Sequence, residues 1–188
     1  MDIHEVPRRR RSDRHFNGQP LDARQIELLI EAFRWAPSAQ NRQPWRLIYA
    51  QSPEARAGFD DALNPSNHKW AVAAPAKFVV LGAPDDQPDR NGLPSWMLET
   101  GLALENMLLQ GCSMGLTTHS MSGWNEQKVL QNFHIPQPFR VLALVVAGDP
   151  GRVEDLPDDV KAKDLAPRVR KAVEEIVYRD VFGSERGD

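Results

Sequence analysis

Cysteine is nearly absent: Cys112 is the only one in 188 residues. One thiol cannot close an internal disulfide, so a reducing compartment is the simpler expectation. Long apolar runs are missing too. Nothing approaches the roughly 18 apolar residues of a membrane span. The opening MDIHEVPRRRR has no apolar core segment and does not read as a signal peptide. These absences lead to an expectation of a cytoplasmic protein with no membrane partner. No GxGxxG opens a helix, no P-loop lysine motif occurs, and no GxSxG elbow is present. The histidines at 4, 15, 68, 119 and 134 lack metal-ligand spacing, so no metal is expected. Cys112 sits within an apolar helical stretch and reads as core rather than nucleophile. With a net charge of -3, the whole molecule is no general nucleic-acid binder. An evident acid, base or nucleophile is therefore lacking. That suits a protein whose cofactor carries the chemistry.

What is present fits one domain spanning 1–188, with 41% hydrophobic and 26% charged residues. Residues 21–35, LDARQIELLIEAFRW, place Ile26, Leu29, Ile30 and Phe33 on one helical stripe. Asp22 followed by Gln25 resembles a capping box, and Pro37 stops the helix. Strands are expected at 45–50 and 77–83, helices at 53–63 and 69–74, and a mobile loop at 84–95. Residues 96–113, WMLETGLALENMLLQGCS, form the most apolar helix, with hydrophobes on more than one face, closed by Gly115. LTTHSM reads as an edge strand, 123–135 as a helix, and 140–150 as a near-continuous central strand. The charged tail carries a possible helix at 169–178. Helices and strands interleave, giving an α+β or α/β domain with a sheet of about four strands.

Four stretches hold donors in excess of what local structure needs. RRRRSDRHF, residues 8–16, clusters arginine forks around a serine, a pattern suited to phosphate but also to a solvated basic arm. PRVR, residues 167–170, sets Arg168 and Arg170 two apart, on one side of an extended segment. APSAQNRQPW, residues 36–45, crowds hydrogen-bonding side chains into a helix-to-strand joint, with Trp45 reading as core. In HSMSGWN, residues 119–125, Ser122-Gly123 lets backbone approach a ligand closely. Taken singly, each also reads as a plain arm, tail, turn or loop.

In this order, those stretches resemble the nitroreductase family of FMN-dependent oxidoreductases. The resemblance runs from RRSDRHF through APSAQNRQPW, NHKWAVAAPAKFVVL and GLALENMLLQGCSMGLTTHSMSGW to APRVR, nearly the whole chain. It implies an α+β three-layer fold with a central mixed or antiparallel sheet flanked by helices. It also implies an intertwined homodimer with FMN in two interface grooves, and NAD(P)H as co-substrate. By that similarity Arg10, Arg11, Ser12 and Arg14 hold the FMN phosphate and one ring edge, and Arg168 and Arg170 meet the same phosphate. Asn67 approaches the pyrimidine side. Met121, Ser122 and Gly123 form the loop whose backbone reaches the flavin N5. Pro37, Ser38, Ala39 and Asn41 contact the flavin from the partner subunit. No side chain is assigned as catalytic, because the flavin N5 performs the chemistry.

The implied activity is hydride transfer from NAD(P)H to a small-molecule acceptor such as a nitroaromatic or quinone. Dehydrogenation, dehalogenation and flavin breakdown are alternatives within the family. A non-catalytic module whose arginine arm binds nucleic acid is the alternative outside it. The chain departs from the family pattern in places. Ser122 stands where many members have glutamate, and Trp70 where lysine often follows the asparagine by three. The chain is short, leaving 84–95 as the expected lid, with Trp96 and Trp124 as pocket walls or interface core.

Overall fold

The computed structural model describes residues 3–84 and 91–183. Four strands form one sheet in the order β1-β2-β4-β3: β1 is Trp45–Tyr49, β2 Ala76–Gly82, β3 Thr117–Met121 and β4 Arg140–Gly148. Every pairing is antiparallel, which resolves the mixed-or-antiparallel alternative. β2 and β4 are the inner strands, and β3 is an edge strand as expected. Between Val80↔Ala143 and Leu81↔Val141 the register slips, leaving Leu142 as an extra residue in β4.

Side chains on a strand alternate between faces, and both faces of this sheet are covered. Phe78, Val80, Ala143, Val145 and Ala147 face a core completed by α2 (Ala23–Arg34) and α5 (Ser95–Ser113). Val79, Leu81, Leu144 and Val146 face a second core, completed by α3 (Pro53–Ala62), α4 (Pro65–Ala71) and α6 (Glu126–Asn132). The result is helix–sheet–helix layering, the α+β architecture expected. Two further helices are peripheral: α1 (Glu5–Arg9) near the start, and α7 (Asp158–Leu165) after the sheet.

The capping box on α2 is present: Asp22 accepts from Gln25 N at 2.7 Å, and the Gln25 side chain accepts from Asp22 N at 2.9 Å. Cys112 and Trp45 are buried. The 69–74 helix instead spans Pro65–Ala71, because Asn64 caps it and Pro65 occupies its first turn. No helix covers 169–178, where the structure has only a short 3-10 turn, Val173–Glu175. Val169 and Ile176 in this stretch are exposed. The short helices α1 and α7 lack an apolar stripe and were not anticipated. Helix α5 carries hydrophobes on more than one face, which calls for burial on several sides. In the single chain its outer face leaves Met97, Leu98 and Leu102 exposed.

Candidate functional site

Residues 10–16 leave α1 as an extended arm, and interactions far along the chain fix its course. Arg9 Nη2 donates to the Cys112 carbonyl at 2.6 Å, anchoring α1 beside the end of α5. Phe16 forms an isolated β-bridge with Pro150. His119 on β3 contributes Nδ1, 3.1 Å from the Asp13 carbonyl oxygen. It also lies against the Trp70 ring with 4.5 Å between centroids. Burial pushes the His119 pKa down to about 4, against the opposing hydrogen bond to Asp13, so the ring is neutral near pH 7.

Asp164 on α7 holds the arm from the other side. Its buried carboxylate accepts from the Arg14 backbone at 2.7 Å and from Arg14 Nη1 at 2.6 Å, and lies 3.1 Å from His15 Nδ1. Its carbonyl oxygen accepts from Arg11 Nη2 at 2.9 Å. Just after α7 the chain passes Ala166 and Pro167, and Arg168 donates to the carbonyls of Pro7 and Arg8.

The two sequence-distant basic stretches thereby share one open cavity of about 370 Å³. It is lined by Arg10, Arg11, Ser12, Arg14, Arg168 and Arg170, together with Lys163, Asp13 and Asp164. Cations outnumber carboxylates there. Partial desolvation, then the charges of Arg170, Arg10 and Arg11, lower the pKa of Arg168 from its ordinary value. Desolvation is the larger cause, and the like charges of Arg170, Arg10 and Arg11 add to it, so four guanidinium groups gather here. Such a cavity favours an anion with several acceptor oxygens.

Arg14 connects this cavity to a second cluster. Its guanidinium lies 5.7 Å from the centroid of Trp70 on α4. Asn67 is one turn earlier on the same helix. The Asn67 side chain donates to the Gly123 carbonyl at 3.1 Å, and Asn64 N donates to that same oxygen at 3.1 Å. A Cβ on residue 123 would collide with the Asn64 side chain and lie 2.9 Å from Asn67 Nδ2, so a larger residue would have to displace these asparagines. Ser122 beside it is exposed, whereas the Met121 side chain is buried in the second core. Where the family pattern has a lysine, Trp70 is 97% buried beneath Arg14.

The polar turn at 36–45 lies elsewhere. Gln40, Asn41 and Gln43 adopt positive φ (55°, 56° and 52°), uncommon for residues other than glycine. Gln43 N donates to Ser38 Oγ at 3.0 Å, and Ala39 N donates to Glu99 Oε1 on α5 at 3.0 Å. Pro37, Ala39 and Asn41 are exposed. The turn is anchored near the start of α5, ~20 Å along the axis from Cys112 at 1.5 Å per residue. Among the described residues, no hydrogen bond or ion pair joins Pro37, Ser38, Ala39 or Asn41 to the arginine cavity. Of the expected lid, residues 85–90 lie outside the described residues. Trp96 covers Gly82, and Trp124 packs at the rim of the second core.

Sequence reasoning missed Asp164, His119, Lys163 and Glu99. Glu99 alone had a signal, as a carboxylate in the most apolar helix. Among the described residues, no group of three or more His, Cys, Asp or Glu gathers as for a metal, and no helix is long and apolar enough to cross a membrane.

The family model described as "Nitroreductase family" matches residues 8–96 and 65–149. The chain belongs to the nitroreductase family. It is 29% identical over 144 residues to a Stenotrophomonas maltophilia protein provisionally named NADH dehydrogenase/NAD(P)H nitroreductase, covering 65% of this chain and 72% of that one. A solved structure described as an oxidoreductase containing FMN superposes with a TM-score of 0.89 at 27% identity, over 98% of this chain and 95% of that chain. A nitroreductase-type protein from Exiguobacterium sibiricum, solved in complex with FMN, superposes with a TM-score of 0.76 at 18% identity, covering 95% of this chain and 97% of that one. The last comparison speaks to fold.

Proposed function

We propose that this protein is an FMN-dependent oxidoreductase. The observation that carries the reading is the convergence of Arg10, Arg11, Ser12, Arg14, Arg168 and Arg170 on one cavity. The fit to FMN rests on this chain's own groups. The cavity offers guanidinium and hydroxyl donors for a phosphate, and a concave site suits a small phosphate ester better than a nucleic-acid backbone. Arg14, backed by the buried Trp70 ring, continues from it towards Asn67 and Gly123 as a strip that can receive the ring system. The homologous FMN-containing oxidoreductase supports the same cofactor.

When bound, FMN would supply the redox chemistry, with NAD(P)H as hydride donor and a nitroaromatic or quinone as acceptor. The chain's task is to bind and orient. Arg10, Arg11, Arg168 and Arg170 neutralise the phosphate. Arg14 places positive charge between the phosphate cavity and the ring strip. The Asn64 and Asn67 contacts fix Gly123 so that the 122–123 backbone can lie close to the ring. No acidic side chain is asked to move a proton. NAD(P)H as donor is supported by the names of curated relatives.

The working form is a homodimer. Met97, Leu98 and Leu102 on α5, and Val169 and Ile176 in the tail, are exposed in the single chain. A two-fold axis crossing α5 sets the start of one helix beside the end of its copy. That arrangement carries Pro37, Ser38, Ala39 and Asn41 of one subunit towards the arginine cavity of the other.

The test is the visible spectrum of purified protein supplemented with FMN, before and after anaerobic NADH or NADPH. A bound flavin band that bleaches is expected. No binding with excess FMN would overturn the cofactor, and a bound band that fails to bleach would overturn the nicotinamide donor.

A further inference from the structure

The basic cavity contains a carboxylate that works against its own charge. Asp164 is 8% exposed and lies among Arg11, Arg14, His15 and Lys163. If the cavity served only to concentrate positive potential, an acid there would weaken anion binding. The contacts of Asp164 give it another use. One oxygen accepts Arg14 Nη1 at 2.6 Å, and the other accepts the Arg14 backbone at 2.7 Å while facing His15 Nδ1 at 3.1 Å. The carboxylate therefore grips both the main chain and the guanidinium of one residue. Its carbonyl oxygen holds Arg11 Nη2 at 2.9 Å, and Arg11 Nε is tied in turn to Asp13 Oδ1 at 3.1 Å.

Arg14 has little else to fix its long side chain beyond the face of Trp70, 5.7 Å away. Arg10 has weaker tethers, with Nη1 donating to Ser12 Oγ at 3.2 Å and Nε 3.9 Å from Glu105 Oε1. An arginine bound on one edge by a buried carboxylate loses rotamer freedom before any ligand arrives, and still presents its remaining N–H donors. The ordering cost is then met on folding rather than on binding.

We propose that Asp164 is a positioning residue for the phosphate-bearing ligand of this cavity. It preorganises Arg14 directly and Arg11 through its carbonyl, and this gain exceeds the electrostatic penalty of its negative charge. The inference rests on the FMN reading of the cavity.

The sign of one measurement separates preorganisation from simple charge. Asp164→Asn makes the cavity more positive but removes the ionic grip on Arg14. FMN affinity is measured by fluorescence titration on the full-length protein, for the wild type, D164N, R14A and the double variant. The expected result is at least about tenfold weaker FMN binding in D164N, the scale of one charge-assisted hydrogen bond. The double variant should bind no worse than the weaker single variant, because both changes remove one coupled element. Equal or tighter binding by D164N, or losses that multiply in the double variant, overturns the proposal. A merely structural role for Asp164 predicts multiplying losses. If D164N does not fold, Asp164→Glu, which displaces the same charge by one methylene, takes its place in the cycle with the same two criteria. Failure of the wild type to bind FMN is a different result, and overturns the cofactor assignment itself.

Discussion

Replacing Arg168 by alanine tests the phosphate cavity most directly. The guanidinium leaves the body of the cavity only to meet the carbonyls of Pro7 and Arg8 on α1, with Nη2 3.2 Å from Pro7 O. Its neighbours Arg170, Arg10 and Arg11 share its sign. In the free protein this residue is therefore repelled by the groups around it, and an incoming phosphate relieves that repulsion. A hydrogen bond to a charged group contributes about 1.5–3 kcal/mol, which corresponds to roughly 10- to 150-fold in affinity. The lower part of that range is expected, because R168A also removes repulsion among the arginines that remain. The assay is paired titration with FMN and with riboflavin, which has the same ring system without the phosphate. FMN binding should weaken by at least about tenfold, and riboflavin binding should stay within about twofold. Raising salt should weaken FMN binding to the wild type more than to R168A. Equal losses for the two ligands would refute the reasoning, since they would mean that Arg168 acts by holding α1 rather than by meeting the phosphate. So would an unchanged FMN affinity.

Three other outcomes are expected. Asn41→Ala should act in trans: in mixed dimers carrying one inactive cavity, the mutated chain should impair flavin binding in its partner's cavity, and damage confined to its own chain would reject the shared site. Lys77, 1% exposed, pairs with Asp60 at 2.6 Å, and burial lowers its pKa against that partner. Lys77→Met should cost roughly 3–5 kcal/mol in denaturant unfolding by stranding Asp60, and adding Asp60→Asn should recover part of it. His119 has a folded pKa near 4 against an ordinary 6.5, so the unfolded chain binds the extra proton between those values. Its contribution is complete above pH 6.5 and lost as the pH falls towards 4, about 3 kcal/mol in all at 1.36 kcal/mol per unit. His119→Gln should flatten the stability profile between pH 6.5 and 4.5, and an unchanged slope would show that another group carries it.

Much of the frame was legible because local rules and tertiary demands agreed. The stripe of α2, its Asp22–Gln25 box and the β-branched run of β4 each specify one element, and each formed as expected. The errors fell where the two levels part. In 169–178 helical propensity finds no surface to bury against, and Pro167 favours extension at Ala166, so the segment stays largely open. Helix α7 has the opposite character. It buries Val160 and Asp164, too little for a periodic signal, and is held by hydrogen bonds to an arm 150 residues earlier. Such pairings leave no local trace. For the same reason the arginines could be nominated from sequence, whereas the carboxylate that holds them could not.

The turn at 36–45 shows how the two kinds of information combine. Its composition suggested a surface meant for something other than turning the chain. The backbone supplies an independent reason: positive φ costs on the order of 1–3 kcal/mol at each of Gln40 and Gln43 and less at Asn41, and a plain helix-to-strand joint does not require it. The strain persists because Glu99 holds Ala39 N, Ser38 Oγ holds Gln43 N, and the Gln43 side chain reaches Asn41 Oδ1 at 3.0 Å. Among the described residues, those bonds fix a turn in which no hydrogen bond or ion pair joins Pro37, Ser38, Ala39 or Asn41 to the arginine cavity. Its anchor, Glu99, belongs to the same helix that leaves Met97, Leu98 and Leu102 uncovered. A rigid polar turn and an apolar helix face, joined through one buried carboxylate, would move together as a single interface element. In the proposed homodimer, covering that face with a second copy would also deliver the turn, so dimerisation and completion of the proposed cofactor site would be one event. FMN should accordingly raise the concentration-dependent stability of the dimer, as measured by sedimentation with and without the cofactor. An FMN-saturated monomer at dilute concentration would break that link.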